Sequence, residues 1–221
     1  MLDMANHTLD KWQEYHVEWT QGKGLELRAP HRSPSSSTAL AAGSAVCIRY
    51  GAHGNADLLT EYGFVLPSNP YSDVLLDEEL LSLLEAHPQS KLLRETLEMH
   101  GYWKDWTLQA TPPPAHPSWR TVMAIRLLAD PSSATTVWAD EVNGTGKKDF
   151  PAEIDLAAMR LLRNLCRTLH QRLQTDIEPL DALCKEALSK ANGLRVVLRE
   201  ELFMLQQVMD ACENESLPAP W

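Results

Sequence analysis

The sequence predicts an α+β protein in which a β-rich N-terminal segment precedes an all-α helical domain. Up to Leu66 the apolar residues fall in short alternating runs broken by Gly, Pro and Ser, and beyond Pro67 and Pro70 they recur at helical spacing. The last third carries wide apolar stripes, the pattern of a globular bundle rather than the narrow seam of a coiled coil. These observations divide the chain into domains at 1–68 and 69–221.

In chain order, Tyr15-His16-Val17-Glu18-Trp19 alternates, Gln21-Gly22-Lys23-Gly24 offers a turn, and Leu25-Glu26-Leu27-Arg28 alternates again. This predicts a β-hairpin. Pro30 to Ser37 is a polar loop with nothing to bury. Ala45-Val46-Cys47-Ile48-Arg49-Tyr50 reads as a short buried strand ending at Gly51, and Asn55 to Tyr62 as a short helix. Leu76, Leu80, Leu83 and Leu84 then share a helical face that Pro88 ends, and Leu93, Leu97 and His100 another that runs to Gly101. After the proline-rich link at Pro112-Pro113-Pro114 and Pro117, Ser118 is a candidate N-cap for a helix through Val122, Met123, Arg126 and Leu127. Three helices close the chain. The first carries Ala158, Leu162, Leu165, Leu169 and Leu173; the second carries Leu180, Leu183, Cys184 and Ala187, with Gly193 as its stop; the third runs from Leu194 to Cys212.

A hydrophobic content of 44% and a charged fraction of 23% over 221 residues fit a globular chain with an ample core. The net charge of −10 disfavours broad attraction to nucleic acid and is compatible with a basic protein partner. Cys47, Cys166, Cys184 and Cys212 form no C-x-x-C pair, so they read as structural thiols and no metal site is expected. No apolar run approaches the ~18 residues of a membrane span. The N-terminus lacks the basic-then-apolar order of a signal peptide, and an intracellular location, cytoplasmic or nuclear, is expected.

Two motifs stand apart from this pattern: Asp3-Met4-Ala5-Asn6-His7 at the start, and Tyr50-Gly51-Ala52-His53-Gly54-Asn55, which runs on to Tyr62-Gly63-Phe64. Together they resemble the closing half of a SET domain, in the form found in the Rubisco large-subunit methyltransferase-like class. That class uses D-x-x-N-H and Y-G-x-x-x-N…Y-G-F segments, and an α-helical substrate-binding domain follows its SET domain. The resemblance therefore implies a C-terminal SET remnant ahead of a helical domain of that type. It also implies S-adenosylmethionine as methyl donor and a protein as substrate.

Methyl transfer to an amine is an in-line displacement, which requires an aimed nucleophile, exclusion of water and fixed dipoles. A tyrosine hydroxyl is such a dipole and stays protonated at neutral pH. The resemblance places this catalytic role on Tyr50. It assigns donor contacts to Asn6, His7, Asn55 and Phe64, and places Tyr62 beside the substrate channel. Each residue also has a plain structural reading. Tyr50 is a strand-end aromatic, His7 a loop histidine, Asn55 a helix N-cap, and Tyr62 with Phe64 an i, i+2 pair on a core strand. His53 receives no role. Arg160, Arg163 and Arg167 read as a solvated face, and Trp103, Trp106 and Trp119 as helical core.

The chain departs from the family pattern in two ways. The opening strands with their G-x-G donor segment do not occur, and neither does the helical insert between the SET halves; Gly22-Lys23-Gly24 falls after the N-H motif and reads as a turn. The expectation is thus a fragment of an S-adenosylmethionine-dependent protein-lysine N-methyltransferase acting on a non-histone protein, incomplete as it stands, with weak or no donor binding of its own. A histidine target, a non-catalytic protein-interaction module and a truncated pseudoenzyme remain as alternatives. The oligomeric state is not legible.

Overall fold

In the computed structural model, residues 5–10, 14–29, 43, 45–145, 150–183 and 189–217 are described, and the chain forms two compact units, Met1–His53 and Gly54–Trp221. This division falls earlier in the sequence than 68/69, because residues 54–66 pack within the second unit. The Pro30–Ser37 loop, Cys184 and Ala187 lie outside the described residues, as do Asp3 and Met4 of the first motif.

In the first unit, β1 (Asn6–His7) is followed by the expected hairpin, β2 (His16–Thr20) and β3 (Gly24–Arg28), paired antiparallel with Val17 opposite Leu27 and Trp19 opposite Leu25. This apolar face is open, with Trp19 74% exposed. The expected strand at 45–50 shortens to β4 (Cys47–Ile48), which pairs parallel with β1. On its other side Tyr15 N–H donates to the Cys47 carbonyl at 2.7 Å. Cys47 is buried, while Val46 faces outward.

The second unit opens with α1 (Asn55–Asp57), which continues as a π-helical turn over Leu58–Tyr62. It then forms a small antiparallel sheet where the sequence predicted helix alone: β5 (Asp73–Leu75), β6 (Thr107–Gln109) and β7 (His116–Pro117). Strands of two or three residues carry no legible period, and side-chain bonds define their edges instead. The Asp77 carboxylate, for example, accepts from the backbone N–H groups of Asp105 and Trp106. The helical domain is therefore not all-α.

The sheet is accompanied by α2 (Asp77–Ala86), α3 (Ser90–Met99), α4 (Trp119–Ala129) and α5 (Val137–Val142). They are followed by α6 (Ala152–Leu183) and α7 (Ser189–Glu213), which pack along each other. The predicted stripes face the core: Leu80, Leu84, Leu93 and Leu97 are buried, as are Ala158, Leu162, Leu165, Leu169 and Leu173. Leu83, grouped with the first stripe, points outward instead. Ser118 caps α4 as expected, its hydroxyl accepting from Thr121 N–H. Every residue from Thr121 to Leu128 is buried. Arg126 lies within this run, its guanidinium 2.8 Å from Asp155 and 4.3 Å from the Phe150 ring centroid. Such a pair compensates a charge that would otherwise be costly to bury.

Two helix boundaries differ from expectation. The first two closing helices are one 32-residue helix, α6, with Pro179 inside it. Gly193 stops nothing: it lies inside α7, where an added Cβ would come within 2.7 Å of Leu59 Cδ1. Glycine inside a helix costs about 1 kcal/mol relative to alanine, and the close approach of Leu59 explains its presence.

Trp106 and Trp138 are fully buried, each indole N–H donating to a backbone carbonyl, of Tyr102 and Met123 respectively. Trp103 packs edge-on against Trp106, whereas Trp119 is 37% exposed and lies at the rim of the core rather than within it. Burial pushes the Cys166 thiol well above its ordinary range and the Cys212 thiol up to about 12. Both are free thiols, in keeping with a structural role. No described helix is long and apolar enough to cross a membrane, and no metal-binding cluster occurs among the described residues.

Backbone protection should follow this distribution of core. Amides at 45–50, around the two-residue strand β4, are expected to exchange with solvent much faster than those at 158–173 and 195–209. Hydrogen exchange by mass spectrometry checks this, and equal protection in the two regions would contradict it.

Candidate functional site

The parallel pairing of β1 with β4 brings the two sequence motifs side by side. Asn6 lies opposite Cys47 and His7 opposite Ile48, and the ladder continues through Asn6 N–H to the Val46 carbonyl (3.0 Å) and Thr8 N–H to the Ile48 carbonyl (3.1 Å). Tyr50 follows directly and is fixed at three points. Its hydroxyl donates to the Ala5 carbonyl at 2.6 Å, its backbone N–H donates to His7 Nδ1 at 3.1 Å, and His53 Nε2 lies 3.3 Å from its carbonyl. The His7 and Tyr50 rings meet at 5.1 Å between centroids. His53, given no role from sequence, also explains Gly51. There φ is +147°, and a Cβ would fall 2.5 Å from His53 Nε2.

Accepting a backbone N–H at Nδ1 requires His7 to be neutral there, with its proton on Nε2. Burial lowers the His7 pKa, and the Arg49 and His53 charges lower it further, against a smaller opposing effect of Glu14. Geometry and electrostatics thus favour the same protonation state. Arg49 is itself held by Glu14 at 2.8 Å. A hydroxyl that donates to a carbonyl directs its oxygen lone pairs away from that carbonyl, as an acceptor of fixed orientation. Asn6 is exposed on β1.

The other predicted site residues lie in the second unit. Asn55 is 2% exposed and is not an N-cap; Gly54 holds that position. The Asn55 amide instead uses its full capacity. Nδ2 donates to the Leu66 carbonyl and to Glu200 Oε2, both at 2.7 Å, and Oδ1 accepts from Leu66 N–H at 2.8 Å and Asn69 Nδ2 at 3.3 Å. These four bonds occupy every hydrogen-bonding position of the side chain and tie it into the segment that ends at Leu66. Tyr62 and Phe64 are not on a strand. They flank Gly63, the left-handed residue that ends the π-helical turn, with ring centroids 6.3 Å apart. Tyr62 is 47% exposed. Glu200, Asn69 and Ser72 were not foreseen, and no sequence signal marks Glu200, which is 145 positions from Asn55.

Beside this network, burial pushes the Glu201 carboxyl up to about 7, Asp73 and Glu200 raise it further, and Arg172 partly offsets them.

No known protein-family profile matches the chain. The ribosomal lysine N-methyltransferase set11 of Schizosaccharomyces pombe is 37% identical over 91 residues, covering 41% of this chain and 21% of that protein. SET domain-containing protein 4 of mouse is 29% identical over 166 residues, 73% of this chain and 36% of that protein. Among solved structures, Rubisco LSMT bound to AdoMet superposes with a TM-score of 0.64 at 20% identity, over 98% of this chain and 49% of that one. The SET domain of LSMT bound to lysine and AdoHcy also gives 0.64, at 19% identity. In fold and in sequence this chain is similar to SET-domain protein methyltransferases. Its fold is similar to that of Rubisco LSMT. It spans about half the length of the solved structures and 21% to 36% of these two curated relatives.

The raised Glu201 pKa has a definite sign. Between its unfolded value near 4.5 and its folded value of about 7, the native state binds the extra proton, so stability falls as pH rises through that window. Glu201→Gln should therefore stabilise the protein at pH 8 by roughly 1–3 kcal/mol and have little effect at pH 4.5. Urea denaturation at the two pH values measures this. A gain confined to the lower pH would reverse the assignment.

Proposed function

We propose that this chain is the C-terminal part of an S-adenosylmethionine-dependent protein-lysine N-methyltransferase that acts on a non-histone protein. The three-point fixation of Tyr50 beside His7 carries this reading, because it joins the two motifs into one preorganised arrangement. S-adenosylmethionine, when bound, supplies the methyl group. Asn6 and His7 would hold the donor: Asn6 is exposed on its strand, and the neutral His7 ring is oriented by the Tyr50 N–H, a donor set suited to a polar ligand. The Tyr50 hydroxyl oxygen, oriented by the Ala5 carbonyl, offers a fixed acceptor dipole for the reacting amine or the departing charge. Because the dipole is already oriented, no reorganisation is needed during reaction. Phe64 would pack on the adenine and Tyr62 would border the lysine channel. Asn55 would serve the donor site by supporting the segment that carries both rings.

Two measurements follow from this reading. In calorimetric titrations the 221-residue chain alone is expected to bind S-adenosylmethionine weakly or not detectably, since it covers about half of the donor-bound relatives. Micromolar affinity would refute that. In a longer protein that joins these residues to an upstream SET segment, Tyr50→Phe should lower kcat by roughly a hundredfold with donor affinity nearly unchanged. A mutant of normal kcat would move the catalytic role to another residue.

A further inference from the structure

The segment Asn55–Leu66 carries the second half of the downstream motif, and most of what holds it comes from its own ends. Asn55 closes the segment by accepting from Leu66 N–H and donating to the Leu66 carbonyl. Outside the segment, Asn69 Nδ2 donates to Asn55 Oδ1 at 3.3 Å, and a second bond reaches a remote helix. Glu200 Oε2, on α7, accepts from Asn55 Nδ2 at 2.7 Å and from Ser72 Oγ at 2.9 Å. A single carboxylate oxygen thus ties the start of the segment to the chain just before β5.

The same face of α7 receives the segment at two further points. Gly193, Val197 and Glu200 follow one another at i, i+4 and i+7, the spacing of one helical face. Gly193 admits Leu59 of the π-helical turn to within 2.7 Å of where a Cβ would be. Val197 is 6% exposed and lines one small cavity with Asn55 and Ala56. A gap in the helix surface, a buried valine and a carboxylate acceptor therefore lie in register along two helical turns. Inside a buried network, loss of the acceptor oxygen leaves an amide proton without a partner.

We propose that Glu200 is a positioning residue: by accepting from Asn55 and Ser72 it fixes Asn55–Leu66, and with it Tyr62 and Phe64, on α7. The functional consequence rests on the donor and substrate roles proposed for those two rings; the positioning itself does not. It predicts a local effect with chemical selectivity. Glutamine retains an acceptor oxygen at the same reach, aspartate retains the charge but falls short by one methylene, and alanine retains neither.

The test is amide exchange by NMR on the full chain, read at Leu66 N–H and at the Asn55 side-chain NH2, with the slowest amides of α6 as a global reference. Glu200→Ala and Glu200→Asp should speed exchange at Leu66 roughly tenfold or more while the α6 amides stay unchanged, and Glu200→Gln should remain close to wild type. If Glu200→Ala does not fold, the aspartate and glutamine variants make the same comparison. Unchanged exchange at Leu66 in the aspartate variant, or acceleration spread equally over α6, would overturn the proposal. So would a glutamine variant as loose as the aspartate one. None of these readouts involves donor binding or methyl transfer, so failure here is distinct from failure of the methyltransferase reading.

Discussion

Burying an amide without hydrogen-bond partners costs roughly 2–7 kcal/mol, and Asn55 avoids that cost only because four groups converge on it. Two belong to Leu66, one to Asn69 and one to Glu200. This constraint organises the start of the second unit. It sets where the segment after Gly54 turns back, brings Asn69 and Ser72 to the entrance of β5, and requires an acceptor oxygen on α7 at one position. A hydrophobic residue of similar volume would remove the amide's demand but leave the Leu66 N–H and carbonyl without their partners.

The first unit solves a related problem on a smaller scale. A two-residue parallel ladder is a weak device, yet it places the His7 ring next to Tyr50, and the contacts at Tyr50 then fix what the ladder alone would leave loose. A neutral imidazole nitrogen at one position and an oriented hydroxyl at the other both follow from backbone groups. Backbone donors and acceptors do not change with sequence, so the geometry depends on register more than on neighbouring side chains.

Much of this was legible in the sequence and some was not, for definite reasons. The hairpin followed from alternation around a Gly-Lys-Gly turn, the start of α4 from Ser118, and the buried face of α6 from leucines at helical spacing. Those signals are local, and local geometry decides them. The sheet of β5, β6 and β7 gave no signal because its strands are too short to show a period. Gly193 was misread because its reason is Leu59, which is remote in sequence, and glycine alone looks like a stop. The expected break between Leu173 and Leu180 failed because Pro179 interrupts one turn while the packing against α7 continues. In the site, Tyr50 and His7 were visible as motif residues and the structure brings them together. Glu200 and His53 were invisible, since one acts across a long sequence separation and the other through a ring packed against glycine.

The burial of the indoles has an optical consequence. Trp19 is open to solvent in the first unit, whereas Trp106 and Trp138 are sealed in the core of the second, each with its N–H bonded to a carbonyl. Fluorescence from the first kind lies to the red and is reached by dissolved iodide; fluorescence from the second kind lies to the blue and is shielded. The emission of Trp19 is therefore separable in colour from that of Trp106 and Trp138, with the partly exposed Trp119 adding to the red side, and exposure of the two sealed indoles can be followed without attaching a dye.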